Sequence, residues 1–134
     1  QGATAVAAGD WDADGDLDMA VANRGANSLA ILTNDGAGAF SNAQTITSLQ
    51  GATAVAAGDW DADGDLDLAV ANFSFNLVAT LRNDGDGTFP TVQNLTGQLG
   101  VRGLAAGDWD GDGSLDLASA CSGDNSVKLL RNQP

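Results

Sequence analysis

The chain has 134 residues, enough for one domain or for two or three small repeated units. All 18 acidic residues are Asp and only five residues are basic, which gives a formal net charge of −13 and argues against nucleic acid as a partner. The sequence contains no His and one Cys, which excludes Ser–His or Cys–His nucleophile pairs, an ordinary zinc site and an internal disulfide. No apolar run reaches the roughly 20 residues of a membrane helix, so we expect no membrane span.

A repeat organises the chain. The tetrapeptide Gly-Asp-Trp-Asp begins at Gly9, Gly58 and Gly107, a step of 49 residues each time, and residues 1–18 are identical to residues 50–67. We therefore predict a single repeat domain over 1–134. Its three units are residues 2–50, 51–99 and 100–134.

Each unit contains short segments with strand composition, separated by turn-forming residues. In the first unit the predicted strands, in chain order, are 3–8, 17–22, 28–33 and 40–47. The later units repeat this scheme, with further predicted strands at 77–81, 89–95 and 126–131. The scarcity of Lys and the absence of Glu argue against helices, so the sequence predicts an all-β fold.

Four antiparallel strands in a unit of this size are typical of a β-propeller blade, with a β-solenoid as the alternative. The third unit ends without a counterpart of strand 40–47, so nearly three blades are present. A closed propeller has 4–8 blades. We therefore expect an incomplete propeller, either a piece of a longer protein or one completed by association of chains.

The candidate site lies in the loops between the first and second strands, which share the pattern D-x-D-x-D-G-x-x-D. Carboxylates at positions 1, 3, 5 and 9 converge if the chain curls, Gly at position 6 permits the turn, and position 7 offers a backbone carbonyl. Such oxygen donors suit Ca²⁺, so we predict three calcium sites. The predicted ligands are Asp10, Asp12, Asp14, Asp16 and Asp18; Asp59, Asp61, Asp63, Asp65 and Asp67; and Asp108, Asp110, Asp112, Ser114 and Asp116.

Alternatives to this calcium loop fit less well. An EF-hand requires Glu at position 12, which here is Val21, Val70 or Ser119. Thrombospondin-type calcium repeats are rich in Cys, and this chain has only Cys121. A metal-free turn would leave four carboxylates per loop repelling one another. Ser114 replaces Asp at position 7, a change that a carbonyl ligand tolerates.

The run G-D-W-D-A-D-G-D-L-D-M-A-V-A-N, followed by a strand and then N-D-G-A-G-A-F, resembles the FG-GAP/VCBS repeat. That repeat builds integrin α-subunit heads, certain fungal lectins and many secreted bacterial proteins. The resemblance implies a β-propeller with a structural calcium ion in each loop between strands 1 and 2. It implies no particular ligand, because the family has none in common. The chain departs from the family at Trp11, Trp60 and Trp109, where Phe is more common.

Two sets of aromatic residues are further candidates. We expect the three Trp residues to pack between blades, with stacking on sugar rings as the alternative. Phe73 and Phe75 form the one aromatic pair that the sequence places in a turn, where an exposed pair would mark a binding surface.

The expected function is non-catalytic. We expect an extracellular or cell-surface module, stabilised by calcium, that serves recognition or adhesion by binding a glycan, as a lectin does, or a protein. Self-association or further blades of the same protein are expected partners. One alternative is a self-assembling structural subunit of a fibre or surface layer. Another is an accessory propeller segment of a larger secreted enzyme.

Overall fold

The computed structural model describes residues 2–132 and contains eleven β-strands. They are β1 (Ala3–Gly9), β2 (Asp18–Asn23), β3 (Ser28–Asn34), β4 (Phe40–Ile46), β5 (Ala52–Gly58), β6 (Asp67–Asn72), β7 (Leu77–Arg82), β8 (Thr91–Leu95), β9 (Val101–Gly107), β10 (Asp116–Cys121) and β11 (Ser126–Leu130). Within the described range the helical structure is a single 3-10 turn, Arg24–Ala26, and no helix there has the length and apolar character to cross a membrane. The predicted ends of the domain, at positions 1 and 134, lie outside the described residues.

The strands form three antiparallel sheets, one per repeat. Sheet 1 has the order β1-β2-β3-β4, sheet 2 the order β5-β6-β7-β8, and sheet 3 the order β11-β10-β9. The predicted all-β fold is therefore confirmed, with four strands in each of the first two repeats. The first two strands of each sheet pair up to the base of the Asp-rich loop, where Gly9 lies opposite Asp18. The equivalent pairing recurs in sheets 2 and 3, so all three loops start from the same strand register.

Sheet 2 is packed on both faces, and its strand β6 is buried at every residue. Leu68 and Val70 belong to the core shared with sheet 1, whereas Ala69 and Ala71 belong to the core shared with sheet 3. This follows from the two-residue period of a strand, which sends alternate side chains to opposite faces. The sheets therefore pack face to face, with sheet 2 between sheets 1 and 3.

The first strands of the sheets, β1, β5 and β9, lie next to one another. Their small residues permit close approach, and Thr side chains join them. The Thr4 hydroxyl donates a hydrogen bond to the Ala52 carbonyl at 2.8 Å, and the Thr53 hydroxyl donates to the Val101 carbonyl at 3.1 Å. The same contact thus recurs one repeat later, so neighbouring sheets meet in equivalent ways.

Most predicted strand ends differ from the observed ends by one residue, and two strand starts were wrong. Leu17 belongs to the loop, with 64% of its surface exposed, and β2 begins one residue later. Strand β8 begins at Thr91 rather than at Phe89, because Pro90 has no N–H with which to continue the ladder. Phe89 instead enters the core and meets Trp11 edge to face, with ring centres 6.2 Å apart.

Candidate metal centres

Each Asp-rich loop brings three carboxylates together. The members stand at positions 1, 3 and 9 of the motif, and one oxygen from each lies within 4.8 Å of the other two. The groups are Asp10, Asp12 and Asp18 in loop 1; Asp59, Asp61 and Asp67 in loop 2; and Asp108, Asp110 and Asp116 in loop 3. Each group can hold a metal ion, and in each the position 9 carboxylate is the buried member.

Backbone N–H groups fix the buried carboxylate. In loop 1, Asp18 accepts a hydrogen bond from the N–H of Trp11 at 2.9 Å and another from the N–H of Asn34 at 2.8 Å. The same two bonds recur at the position 9 residues of loops 2 and 3. Since each carboxylate oxygen has a further lone pair, these bonds orient the group and leave it able to bind a cation.

Burial also affects protonation within the groups. Burial raises the pKa of Asp67, although two backbone N–H donors act in the opposite direction. Desolvation and the neighbouring carboxylates of the same loop raise the pKa of Asp12. In both cases burial is the main cause and the other carboxylates of the loop add to it, and a cation bound among them would favour the ionised forms.

The position 1 carboxylate closes each loop on itself. Asp10 accepts hydrogen bonds from the N–H groups of Asp14 at 3.1 Å and Gly15 at 3.0 Å. In loop 2, Asp59 accepts from Gly64 through Oδ2, while its Oδ1 is buried and has no hydrogen-bond donor among the described residues. A buried carboxylate oxygen without a donor is costly, so this atom fits a cation ligand.

The other predicted ligands lie outside these groups. Position 5 carboxylates accept a hydrogen bond from the N–H of the position 7 residue, as Asp14 does from Asp16 at 2.9 Å. The Asp16 side chain lies against Gly36 of the neighbouring hairpin, and Asp65 lies against Gly85 likewise. That arrangement is compatible with the backbone-carbonyl role predicted for position 7. The predicted ligands outside the groups are Asp14, Asp16, Asp63, Asp65, Asp112 and Ser114.

The loop backbone confirms one expected turn and adds a second. Gly15 and its equivalents at position 6 have positive φ, 95° at Gly15 itself, as the motif predicts. Position 4 is also left-handed, with φ of 60° at Ala13, 61° at Ala62 and 77° at Gly111. The sequence reasoning missed this second turn, although Gly in the third copy was a signal for it.

Loop 2 has an additional cationic neighbour in Arg82. Its guanidinium forms an ion pair with Asp61, and its Nη2 lies 3.5 Å from an oxygen of Asp63. A hydrogen bond from the N–H of Asp65, together with Arg82, holds the pKa of Asp63 below its usual value. The equivalent residue of the first copy is Thr33, so loop 1 has no such cation.

Recurrent Asn residues connect the sheets at both ends. Asn27 and Asn76 occupy left-handed turns, and their side-chain oxygens accept hydrogen bonds from Gly51 at 3.1 Å and Gly100 at 2.7 Å. Near the Asp-rich loops, the side-chain amide of Asn83 donates a hydrogen bond to the Trp11 carbonyl of the preceding sheet. The amide of Asn132 donates to the Trp60 carbonyl in the same way. Each of these Asn side chains therefore joins two neighbouring sheets.

The burial of the three equivalent Trp residues depends on whether a further sheet packs against them. Trp11 is completely buried between sheets 1 and 2, Trp60 is partly buried, and Trp109 on the outer side of sheet 3 is 49% exposed. Packing between sheets is therefore the role of Trp11, as expected for the repeat.

Comparison with known families agrees with this geometry. The FG-GAP-like repeat family matches residues 10–70 and, one repeat later, residues 59–119. Both matches begin at the first Asp of an Asp-rich loop. No curated protein sequence matches the chain. The two family matches together span most of the sequence, and the chain therefore belongs to the FG-GAP-like repeat family.

Proposed function

We propose that the chain is a calcium-stabilised β-propeller module that serves recognition or adhesion outside the cell and has no catalytic activity of its own. The observation that carries this proposal is a group of three converging carboxylates, one of them buried, that recurs in all three loops. FG-GAP-like repeats commonly occur in extracellular proteins, which supports the same location for this chain.

Calcium is the metal that the donors favour. The grouped residues offer only oxygen atoms, and Ca²⁺ takes six to eight oxygen ligands in flexible geometry. Mg²⁺ retains several waters, and transition metals favour nitrogen or sulfur donors. The residues that would hold each ion are those at positions 1, 3 and 9, joined by the predicted position 5 carboxylate and position 7 carbonyl. Bound calcium supplies positive charge that cancels the repulsion within each loop and keeps the loop closed.

Thermal unfolding with 2 mM CaCl₂ (about millimolar calcium, as outside cells) against EGTA tests the metal. If calcium is present at about 10 to 100 times the dissociation constant, each site adds about 1.4–2.7 kcal/mol to the free energy of unfolding. The unfolding midpoint should therefore fall clearly in EGTA. An unchanged midpoint would remove the calcium proposal.

A matched pair of variants in loop 2 locates the effect. Asp67→Asn removes a grouped, buried carboxylate and should abolish the calcium response of that loop. Asp65→Ser introduces the residue that loop 3 carries at position 7, Ser114, and should leave the response intact. Isothermal titration with calcium should accordingly count two sites in the first variant and three in the second.

A structural, self-assembling role is the second candidate, and exposed apolar surface favours it. On sheet 3, Trp109, Val127 and Leu129 are exposed by 49%, 76% and 42%, although Trp11 and Leu29 of sheet 1, equivalent to Trp109 and Val127 by the repeat, are buried. Light scattering across a concentration series in calcium distinguishes the two roles, because assembly gives a mass that rises with concentration and a recognition module gives a constant mass.

A further inference from the structure

The two ends of the stacked sheets differ in charge. The Asp loops and the hairpins after β3 and β7 lie at one end, which we call the loop end. The turns between β2 and β3 and the equivalent turns of the other sheets lie at the opposite end, which we call the turn end. Every Asp except Asp124 lies at the loop end. Asp124 itself is paired with Lys128 at 2.9 Å. The ends are about 20 Å apart, beyond the Debye length of about 8 Å at physiological salt, so the Asp loops hardly affect a charged ligand at the turn end.

Two arginines and a phenylalanine from three different sheets meet at the turn end. The guanidinium carbon of Arg102 lies 4.7 Å from the ring centre of Phe73, and that of Arg24 lies 5.5 Å from the same centre. Both distances are within the range of cation–π contacts. Phe75, on the same turn as Phe73, is 52% exposed. We call Arg24, Phe73, Phe75 and Arg102 the turn-end cluster.

The repeat does not account for this cluster. The position of Arg24 is occupied by Phe73 in the second copy and by Ser122 in the third. Arg102 stands where the other copies have Thr4 and Thr53, whose hydroxyls bind the next sheet. The cluster thus combines residues that each occur in a single copy, in a framework whose other contacts recur. The recurring hydrogen bonds between sheets, from the Thr hydroxyls and to the Asn side-chain oxygens, involve none of these four side chains, which points to a role beyond stacking.

The guanidinium groups of the cluster remain available. Both arginines are exposed, and within residues 2–132 neither has a carboxylate within ion-pair distance. The one side-chain hydrogen bond that involves them there runs from Arg102 Nε to the Ser122 hydroxyl at 3.1 Å. Contact with the Phe73 ring orients both groups, which lowers the entropy cost of binding an anion.

We propose that the turn-end cluster binds an acidic glycan, an inference that rests on the proposed recognition function. Guanidinium groups bind carboxylate and sulfate through paired N–H donors, so Arg24 and Arg102 bind the anionic groups of the sugar. The exposed Phe75 ring packs against the apolar C–H face of a sugar ring. A stiff glycan holds its charges at fixed spacing and loses less entropy on binding than a flexible acidic peptide, which favours the glycan as ligand.

Isothermal titration of the calcium-loaded 134-residue chain tests the inference. The ligands are a galacturonate tetrasaccharide, a sulfated tetrasaccharide from heparin, neutral maltotetraose and an octapeptide of Asp. We expect the uronate, the sulfated sugar or both to bind, and the one that binds identifies the anionic group that the site recognises. The neutral sugar should bind at least about tenfold more weakly than the acidic one.

Two variants locate the site. Arg24→Ser combined with Arg102→Thr introduces residues that other copies carry, and should weaken acidic glycan binding about tenfold or more. Arg131→Thr removes one positive charge at the loop end and should leave the affinity unchanged. Unfolding midpoints in calcium verify that both variants fold.

Four results would overturn the inference: no binding of either acidic glycan, equal or tighter binding of the Asp octapeptide, equal losses in the two variants, or unchanged binding of the acidic glycan by the double variant. If the double variant binds the acidic glycan as the parent does, the turn-end cluster is not the site, while the recognition function itself stands. The calcium proposal is judged separately, by the EGTA unfolding experiment.

Discussion

The side-chain amide of Asn83 donates a hydrogen bond to the backbone carbonyl of Trp11, 2.9 Å away and 72 residues earlier in the chain. The same amide donates to the carbonyl of Leu66 at 3.1 Å, and its oxygen accepts from the N–H groups of Gly85 and Gly87. One buried side chain thus joins the hairpin of sheet 2, loop 2 and loop 1. The shape of an Asp-rich loop therefore depends on the next repeat as well as on its own sequence.

Replacing this amide should destabilise the protein. Asn83→Ala leaves the buried Trp11 carbonyl without its donor, and we expect a loss of about 2–3 kcal/mol in the free energy of unfolding. Asn34→Ala is the matched control, because Asn34 makes the equivalent bonds within its own sheet and no inter-sheet bond among the described residues. It should lose about 1 kcal/mol. Urea unfolding in calcium measures both, and equal losses would show that the inter-sheet bond contributes nothing.

Equivalent Trp residues should differ in their contribution to stability. Trp11 is fully buried and contacts Phe89, so Trp11→Ala should cost about 3–5 kcal/mol. Trp109 is half exposed, and Trp109→Ala should cost about 1 kcal/mol or less at protein concentrations where the chain is monomeric. A loss at Trp109 that matches the loss at Trp11 would mean that sheet 3 is covered in solution.

The left-handed residue at position 4 of each loop provides a test of backbone strain. Ala62 has φ of 61°, a conformation that costs a residue with a Cβ about 1–2 kcal/mol, so Ala62→Gly should stabilise the protein by about 0.5–1 kcal/mol. The reverse change, Gly111→Ala, should destabilise it by about 1 kcal/mol, since a Cβ there meets open space and only the backbone opposes it. Thermal unfolding of both variants in calcium checks the pair, and shifts of the same sign would refute the strain argument.

Arg82 should act as a partial substitute for calcium in loop 2. Arg82→Thr, which introduces the residue of loop 1, should lower the unfolding midpoint in EGTA and change it little in calcium. Thr33→Arg should have the opposite effect on loop 1 and reduce its calcium dependence. Unfolding midpoints with calcium and with EGTA provide the comparison. An equal loss for Arg82→Thr in both conditions would indicate that Arg82 only packs against the loop.

The organisation of the chain was predictable because its determinants are local. A strand of five to seven residues between Asp- and Gly-rich turns is encoded by neighbours in sequence, and exact duplication shows that the unit recurs. The turns at the position 6 glycines were predictable because they too depend on local sequence, since a D-x-D-x-D-G run curls within a few residues. The boundary error at Phe89 had a local cause, since Pro90 cannot continue the ladder, whereas the burial of Phe89 against Trp11 followed only from packing of the sheets.

The sequence by itself determined the repeat, the all-β fold, the location of the three Asp loops and the family to which they belong. Tertiary structure decided which carboxylates converge: strand pairing buries Asp18 and backbone N–H donors orient it towards Asp10 and Asp12, whereas Asp14 accepts a hydrogen bond from the N–H of Asp16. It also decided that Arg24 and Arg102 meet on Phe73. The two Arg–Phe contacts join residues 29 and 49 positions apart in different sheets, and the free energy of burial and stacking that fixes them arises only once the sheets pack.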